Sequence, residues 1–259
     1  MRIDVSSICL QELENLVIPV ELGRNLRRSD DFIKLAVVTA HEILRSKDVD
    51  AVGRGDTFGL IIGTAYGTMQ TNFDVLDAVV FGLQTSPTLF SHSVFNAAAG
   101  YASAVLNLRG CALTITDFVF PFFRALQEGC LAIEAGRLTR CLVFQIETYS
   151  ELLDFARKKE TVEPAAWNAG AVCWLLEKGT VGKNPLARID KIVITDAGYD
   201  PADSLHYCEQ VQFDGNTSIG RDPLAVPQLI SRAVLEGGAQ RIREYKAEGS
   251  WGKVLLYLS

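Results

Sequence analysis

The feature that most constrains the fold is an alternation, over the first 180 residues, of short apolar runs with longer amphipathic segments. Runs such as 57–62 (TFGLII) and 112–116 (ALTIT) are too short for helices and carry no charge, which is typical of buried strands. Between such runs, segments such as 29–47 place their apolar side chains on one helical face. Buried strands that alternate with helices predict an α/β fold with a mostly parallel central sheet between helices.

The character of the chain changes after Lys178, where a turn, a strand, a loop-like stretch, a helix and a terminal strand follow one another. The prediction is therefore one α/β unit over 1–180 and a smaller α/β segment over 181–259 packed on it. The predicted strands are 57–62, 112–116, 141–148, 169–177, 187–195 and 251–258, and the predicted helices are 29–47, 70–82, 96–108, 117–136 and 225–245. Residues 149–168 are expected to form an exposed connection, and 196–224 a loop-like stretch.

Charge and hydropathy exclude two classes of protein. With 25 basic and 31 acidic side chains, a net charge of −6, the chain lacks the basic surface that neutralises nucleic-acid phosphates. The longest uncharged stretch, 78–108, holds too many polar residues for a bilayer helix, among them Gln84, His92 and Asn96. We therefore expect no nucleic-acid partner and no membrane contact.

Two features predict a reduced, cytoplasmic protein. The N-terminus lacks the apolar core of a secretory signal, and the six cysteines show no C-x-x-C spacing.

Motifs for cofactor and metal chemistry are missing. Nothing matches the phosphate loop G-x-x-x-x-G-K-[ST], a strand-linked G-x-G-x-x-G or the nucleophile elbow G-x-S-x-G. The three histidines lie far apart and have no metal-ligand spacing. Glu147 and Glu151 stand near a predicted strand end, a spacing that usually belongs to a solvated edge. The sequence thus predicts neither a cofactor nor a metal.

Four segments between Gly59 and Glu177 form a pattern in their order and spacing. They are GLIIGTAYG (59–67), a stretch that begins SPTLF and ends LRGCALTITDF (86–118), ALQEGCLAIEAGRLTRCLVFQIE (125–147) and NAGAVCWLLEKG (168–179). This pattern resembles the N-terminal half of β-ketoacyl synthases of the thiolase fold. The resemblance implies a thiolase-like α/β fold, with the ketosynthase-like half at 1–180 and a strongly shortened C-terminal half at 181–259.

The chain departs from that family at the residues that carry its chemistry. When the family motif L-R-G-P is laid on residues 108–111, the nucleophilic cysteine falls on Val119, which has no nucleophile and no titratable group. The C-terminal histidine motifs are also missing, and His206 is interpreted as a loop residue. The resemblance therefore implies a catalytically inactive member, similar to the chain length factors of type II polyketide and aryl polyene systems. In the usual factor a glutamine replaces the cysteine, so Val119 departs from that pattern too.

The resemblance also assigns roles to residues. At a sheet edge the strand Ala112, Leu113, Thr114, Ile115 and Thr116 would be an unpaired ladder, so it is expected to pair with its counterpart across a dimer axis. Phe118 and Phe120 are expected to fill the space where an active subunit keeps its cysteine. The candidates for lining the acyl tunnel, with Tyr66 and Leu89 foremost, are Tyr66, Thr68, Asn72, Phe73, Leu76, Leu89 and Phe90.

The implied partner is a catalytic ketosynthase, bound in a heterodimer or heterotetramer, with an acyl carrier protein and its polyketide chain as indirect partners. Two alternatives stay open. One is an acyltransferase or thioesterase whose nucleophile has moved to Cys111, Ser91 or Ser93 near His92, although adjacent Ser and His would point to opposite sides of an extended strand. The other is a homodimeric acyl-binding or regulatory protein of the same fold.

Overall fold

The computed structural model describes residues 3–47, 55–160, 167–179, 185–196, 210–212, 222–237, 243–249 and 252–259. In these residues nine strands form one continuous sheet, and helices cover both of its faces. The strands are β1 (Ile3–Glu12), β2 (Phe58–Thr64), β3 (Ala112–Thr116), β4 (Arg140–Glu147), β5 (Gly170–Lys178), β6 (Ala187–Asp196), β7 (Gln210–Gln212), β8 (Arg243–Gly249) and β9 (Gly252–Leu258). The helices are α1 (Gly23–Leu26), α2 (Asp31–Ser46), α3 (Met69–Val80), α4 (Pro87–His92), α5 (Ala97–Leu106), α6 (Pro121–Glu134), α7 (Glu151–Glu160) and α8 (Ala225–Gly237).

The strands follow the order β3-β2-β4-β5-β1-β6-β9-β8-β7 across the sheet. β2 pairs in parallel with β3 and with β4, and the other pairings among the described strands are antiparallel. The α/β class is confirmed, whereas the prediction of a mostly parallel sheet is wrong. A doubly buried strand is a continuous apolar run whichever way its neighbour runs, so the pattern does not encode strand direction.

Two hydrophobic cores flank the sheet. One lies under α2 and α5 and includes Ala102 and Phe144. The other lies under α6 and α8, where the rings of Phe122 and Trp174 meet edge to face with centroids 5.2 Å apart. Trp174 Nε1 donates a hydrogen bond to Ser231 Oγ on α8 at 2.7 Å. Elements from both sides of residue 180 thus share one core, and the division of the chain there stays a prediction.

Local capping explains where two helices begin. Asp30 Oδ1 accepts a hydrogen bond from the N–H of Ile33 at 2.9 Å, which fixes the start of α2 close to its predicted position. Ser86 and Pro87 together start α4, because a serine side chain can accept from the first turn and proline suits the first helical position. The expectation that Ser91 and His92 lie on an extended strand is wrong, because both residues lie in α4.

Some C-terminal elements also differ from the prediction. The predicted helix 225–245 ends at Gly237, and Arg243 begins β8, which pairs with β9. Glycine is a common helix terminator, and two follow one another at 237–238. The connection 149–168 contains α7, and β1 was not predicted because its apolar and polar residues are mixed. His206 lies outside the described residues.

Candidate functional site

The position that the resemblance assigns to the nucleophile lies where β3 leads into α6. Val119 is half-buried there, and its backbone N–H donates to Asp117 Oδ1 at 2.7 Å. The N–H of Phe120 donates to the same oxygen at 3.0 Å, and Arg124 pairs with Asp117 Oδ2 at 3.2 Å. Asp117 therefore fixes the backbone that enters the helix. The side chain presented at this entry is a hydrocarbon.

Close packing holds this end of α6 against the sheet. Gly63 lies in β2, and a Cβ atom on it would collide with the backbone carbonyl of Pro121, the first residue of α6. Only a glycine lets the helix approach the strand so closely. The backbone around Val119 is thus positioned by two neighbouring strands.

The thiols of the described residues offer no ready replacement for the missing nucleophile. Cys111 is exposed, but it precedes β3 and so lies at the opposite end of that strand from Val119. The thiolate is the nucleophilic form of cysteine, and burial disfavours it. Burial raises the pKa of the other four described thiols: Cys9 to about 11, Cys130 to about 12, and also Cys141 and Cys173.

Helix α4 contains the serines of the relocated-nucleophile alternative. The hydroxyls of Ser91 and Ser93 each donate at 2.8 Å to a backbone carbonyl of the preceding turn. His92 is buried, and its ring meets that of Tyr101 edge to face with centroids 6.0 Å apart. Both serines are therefore engaged with their own helix and not with the histidine.

Glu147, interpreted from the sequence as part of a solvated edge, is fully buried at the end of β4. Burial raises its pKa to about 7, and hydrogen bonds to the carboxylate oppose that rise. A polar pair in an otherwise apolar strand, at 145 and 147, was the only sequence signal for it. The donors are the N–H of Ala65 (2.7 Å), the N–H of Tyr66 (3.1 Å), Thr64 Oγ1 (3.2 Å) and Gln145 Nε2 (3.1 Å).

The turn after β2 is held by further hydrogen bonds. The N–H of Gly67 donates to Thr64 Oγ1 at 2.7 Å, and Thr148 Oγ1 donates to the carbonyl of Gly67 at 3.1 Å. Gly67 has a φ of 56°, in the left-handed region, and a Cβ there would collide with the ring of Phe95. The turn 64–67 is thus fixed from two directions.

Four aromatic rings meet at this turn. The ring of Tyr66 lies 6.1 Å from that of Phe118, 6.0 Å from Tyr149 and 5.9 Å from Trp167, centroid to centroid. The hydroxyl of Tyr149 donates to Asp222 Oδ1 at 2.6 Å, while burial and this neighbouring carboxylate raise the pKa of Tyr149. The Tyr66 ring therefore packs against at least one ring, that of Tyr149, which a hydrogen bond holds in place.

A cleft of about 380 Å³ adjoins these rings. Tyr149 and Trp167 line it, together with Thr71 and with four carboxylates, Asp30, Asp31, Asp74 and Asp154. Tyr66 therefore contacts both the exposed Phe118 and two residues of the cleft wall.

The predicted tunnel residues divide by burial. Tyr66 and Thr68 are buried in this chain, and Thr68 Oγ1 donates to the carbonyl of Ser93 at 2.8 Å. The half-buried candidates are Asn72, Phe73 and Leu89, and the exposed ones are Leu76 and Phe90. Their role in a tunnel stays a prediction.

The two predicted filling residues also separate. Phe120 is buried in the core, edge to face with Phe123 at 6.3 Å. Phe118 is 54% exposed, so it does not fill an internal space of this chain. The backbone at Asp117 turns so that one ring enters the core and the other lies on the surface.

Ten of the exposed large apolar side chains lie between residues 76 and 118, and we call them the apolar surface. It is carried by α3, α4, β3 and the residues beside them, and α5 connects these elements by contacting both α4 and β3. Residues 78–108, which supply most of it, contain no Asp, Glu, Lys or Arg. Exposed apolar patches of this kind mark interaction sites. The members are Leu76, Val79, Val80, Phe81, Leu83, Phe90, Val94, Phe95, Leu113 and Phe118.

Strand β3 lies at the edge of the sheet beside this surface, with β2 as its only partner among the described strands. The N–H of Leu60 donates to the carbonyl of Cys111 at 2.8 Å, so the backbone groups of Cys111 face β2. Because these groups alternate in direction along a strand, those of Ala112, Thr114 and Thr116 face the open edge. The predicted pairing strand is thus placed where a further strand could add.

The family follows from a comparison with known proteins. Residues 24–191 match the family described as "Beta-ketoacyl synthase, N-terminal domain", which is well over half of the chain. The chain belongs to this β-ketoacyl synthase family. No curated protein matches its sequence.

Solved structures with a similar fold include ketosynthase complexes. "The ishigamide ketosynthase/chain length factor" aligns with a TM-score of 0.73 and 18% identity over 94% of this chain and 85% of that one. A chain of the "Ketosynthase (ApeO) in Complex with its Chain Length Factor (ApeC) from Xenorhabdus doucetiae" aligns with a TM-score of 0.64 and 15% identity over 99% of both. A chain of the AntDE:AntF complex, a type II acyl-carrier protein with its ketosynthase, aligns with a TM-score of 0.60 and 16% identity over 76% and 69%. These similarities confirm the thiolase-like fold.

Among the described residues, no helix has the length and apolar character needed to cross a bilayer. Nor do these parts of the chain hold a group of three or more His, Cys, Asp or Glu side chains that could bind a metal ion.

Proposed function

We propose that this chain is a non-catalytic subunit, similar to chain length factors, that pairs with an active β-ketoacyl synthase and shapes its acyl tunnel. The pathway would be a type II polyketide or aryl polyene pathway, in which acyl chains are carried by a carrier protein. The observation that carries the proposal is the apolar surface beside the open edge of β3. An apolar surface beside a strand edge that no described strand covers is the kind of surface that a protein partner buries.

The lack of a nucleophile supports the non-catalytic part of the proposal. When the family motif L-R-G-P is laid on residues 108–111, the cysteine position falls on Val119, and burial raises the pKa of the described buried thiols. Acyl transfer to a protein needs a thiolate or hydroxyl that is activated by a base, and valine supplies neither. A homodimer would lack this nucleophile in both halves, so an active ketosynthase is the better partner.

The named relatives support the choice of partner. Two of the similar structures are described as a ketosynthase with a chain length factor, and a third holds a ketosynthase with an acyl-carrier protein. In our proposal the apolar surface meets such a ketosynthase. The side chains on α3 and α4, Leu76 and Phe90 among them, would then lie at the partner while Tyr66 closes the tunnel from this side.

Co-expression tests the proposal. We expect this chain to form a 1:1 complex, or a dimer of such pairs, with one of the β-ketoacyl synthases of its own genome, as measured by native mass. The Phe81→Glu and Leu83→Glu variants should lose the complex, because each would bury a charge in an apolar interface. Val20 is 95% exposed outside the 76–118 segment, so Val20→Glu is the matched control and should leave the complex intact.

Other outcomes separate the alternatives. A stable homodimer that ignores every ketosynthase would contradict the proposal and favour a homodimeric acyl-binding protein. Acylation of the isolated chain by a carrier thioester, lost in Cys111→Ala, would instead favour a relocated nucleophile.

A further inference from the structure

Tyr66 is a buried residue of the turn 64–67, and several hydrogen bonds fix its backbone. Its own N–H and that of Ala65 donate to the two oxygens of one buried carboxylate, Glu147, at 3.1 and 2.7 Å. Thr64 Oγ1 donates to that carboxylate and accepts from the N–H of Gly67. We call Glu147 with the turn 64–67 the Glu147 clamp.

Burying the carboxylate of Glu147 at this position costs free energy. Burying a charge costs free energy unless hydrogen bonds replace its water, and here four donors do so. An apolar residue would avoid the cost of burying the charge, but it would leave two backbone N–H groups unpaired. Two acceptor oxygens on one rigid group can instead fix two successive N–H groups, and with them the direction in which Tyr66 leaves the backbone.

The ring of Tyr66 has neighbours on two sides, so the direction in which its side chain leaves the backbone decides both sets of contacts. On one side it meets Phe118, which is exposed beside β3, and on the other it meets Tyr149 and Trp167, which line the cleft. A change in the backbone direction at Tyr66 would move the ring relative to both. In the proposed function Tyr66 closes the acyl tunnel from this side, so the Glu147 clamp would fix where that tunnel ends.

We infer that Glu147 is a positioning residue that, through Tyr66, sets the length of the acyl chain made by the complex. The inference rests on the proposed function, because it needs a partner that elongates the chain. Glu147 itself is buried behind the turn and acts through Tyr66.

The test measures acyl chain lengths on the carrier protein by mass spectrometry, using the intact complex with its ketosynthase. In Glu147→Gln the amide nitrogen would face a backbone N–H, and one hydrogen bond to the carboxylate would be lost. We therefore expect the ratio of the main product to products of neighbouring length to change about tenfold. This is the factor that corresponds to the loss of one hydrogen bond to a charged group. Thr64→Val is milder and should change the ratio in the same sense, which keeps the inference testable if Glu147→Gln does not fold.

Two comparisons isolate the route through Tyr66. Glu177 pairs with Arg140 at 3.2 Å at the other end of β4, so Glu177→Gln is the matched control and should leave the product ratio unchanged. In a Tyr66→Ala background, adding Glu147→Gln should change the ratio no further. A purely structural role would predict equal effects in both backgrounds.

The possible failures are distinguishable. If the wild-type complex forms but the product ratio is the same in Glu147→Gln and Thr64→Val, the clamp inference is wrong and the proposed function stands. An effect of Glu147→Gln that persists at full size without the Tyr66 ring would also overturn it. If the wild-type chain forms no complex with a ketosynthase, the proposed function fails and this inference fails with it.

Discussion

At the scale of single residues, glycines decide how closely the backbone segments of this protein approach. Gly63 faces the carbonyl of Pro121, and a Cβ there would displace the start of α6. We expect Gly63→Ala to cost about 1–3 kcal/mol of unfolding free energy, because overpacking strains a closely packed core. Thermal denaturation of the purified chain should show a melting temperature lower by several degrees.

Gly100 provides the matched control for that substitution. It lies inside α5, and a Cβ there would meet no atom within 4 Å. Gly100→Ala should therefore stabilise the chain by up to about 1 kcal/mol, the difference in helix propensity. Equal melting temperatures for the two variants would show that close contact with Pro121 does not make residue 63 sensitive to an added Cβ atom.

At the scale of elements, the edge strand β3 carries the clearest consequence. The N–H of Thr114 faces the open edge, whereas that of Ile115 faces β2. Thr114→Pro should therefore spare the sheet of this chain but weaken the ketosynthase complex by about tenfold or more, because proline removes a donor and suits only a free edge. Titration of the two subunits by analytical ultracentrifugation measures the change.

Ile115→Pro separates pairing from folding. This substitution removes a donor to β2, so we expect it to lower the melting temperature of the chain itself. If Thr114→Pro and Ile115→Pro both destabilise the isolated chain while neither affects the complex, β3 is not the pairing strand.

At the scale of the whole molecule, the net charge of −6 and the uncharged stretch 78–108 predict how the complex responds to salt. An interface made by an apolar surface has few ion pairs to screen, and burial of apolar groups is not weakened by sodium chloride. The dissociation constant should change less than about threefold between roughly 0.1 and 1 M NaCl. Dissociation at high salt would place the interface on a charged face instead.

The α/β class and the positions of β2 to β5 could be predicted from the amino-acid sequence, which also places a valine, without a nucleophile, at residue 119. These features are local or depend on spacing along the chain. A buried strand is recognised as an apolar run, and the position that matches a motif residue is found by counting from the motif. For the same reason the start of α2 at Asp30 was predictable, since a helix cap involves neighbours in sequence.

The direction of β5, the burial of Glu147 and the exposure of Phe118 depend instead on contacts between residues far apart in sequence. Glu147 receives hydrogen bonds from residues 81 to 83 positions away, and no local pattern reports donors at that distance. Phe118 and Phe120 are the same residue type two positions apart, so the sequence does not indicate which of the two rings is buried. The backbone turn that Asp117 holds sends one ring into the core and leaves the other at the surface, because a folded chain buries only the side chains that its neighbouring elements can cover.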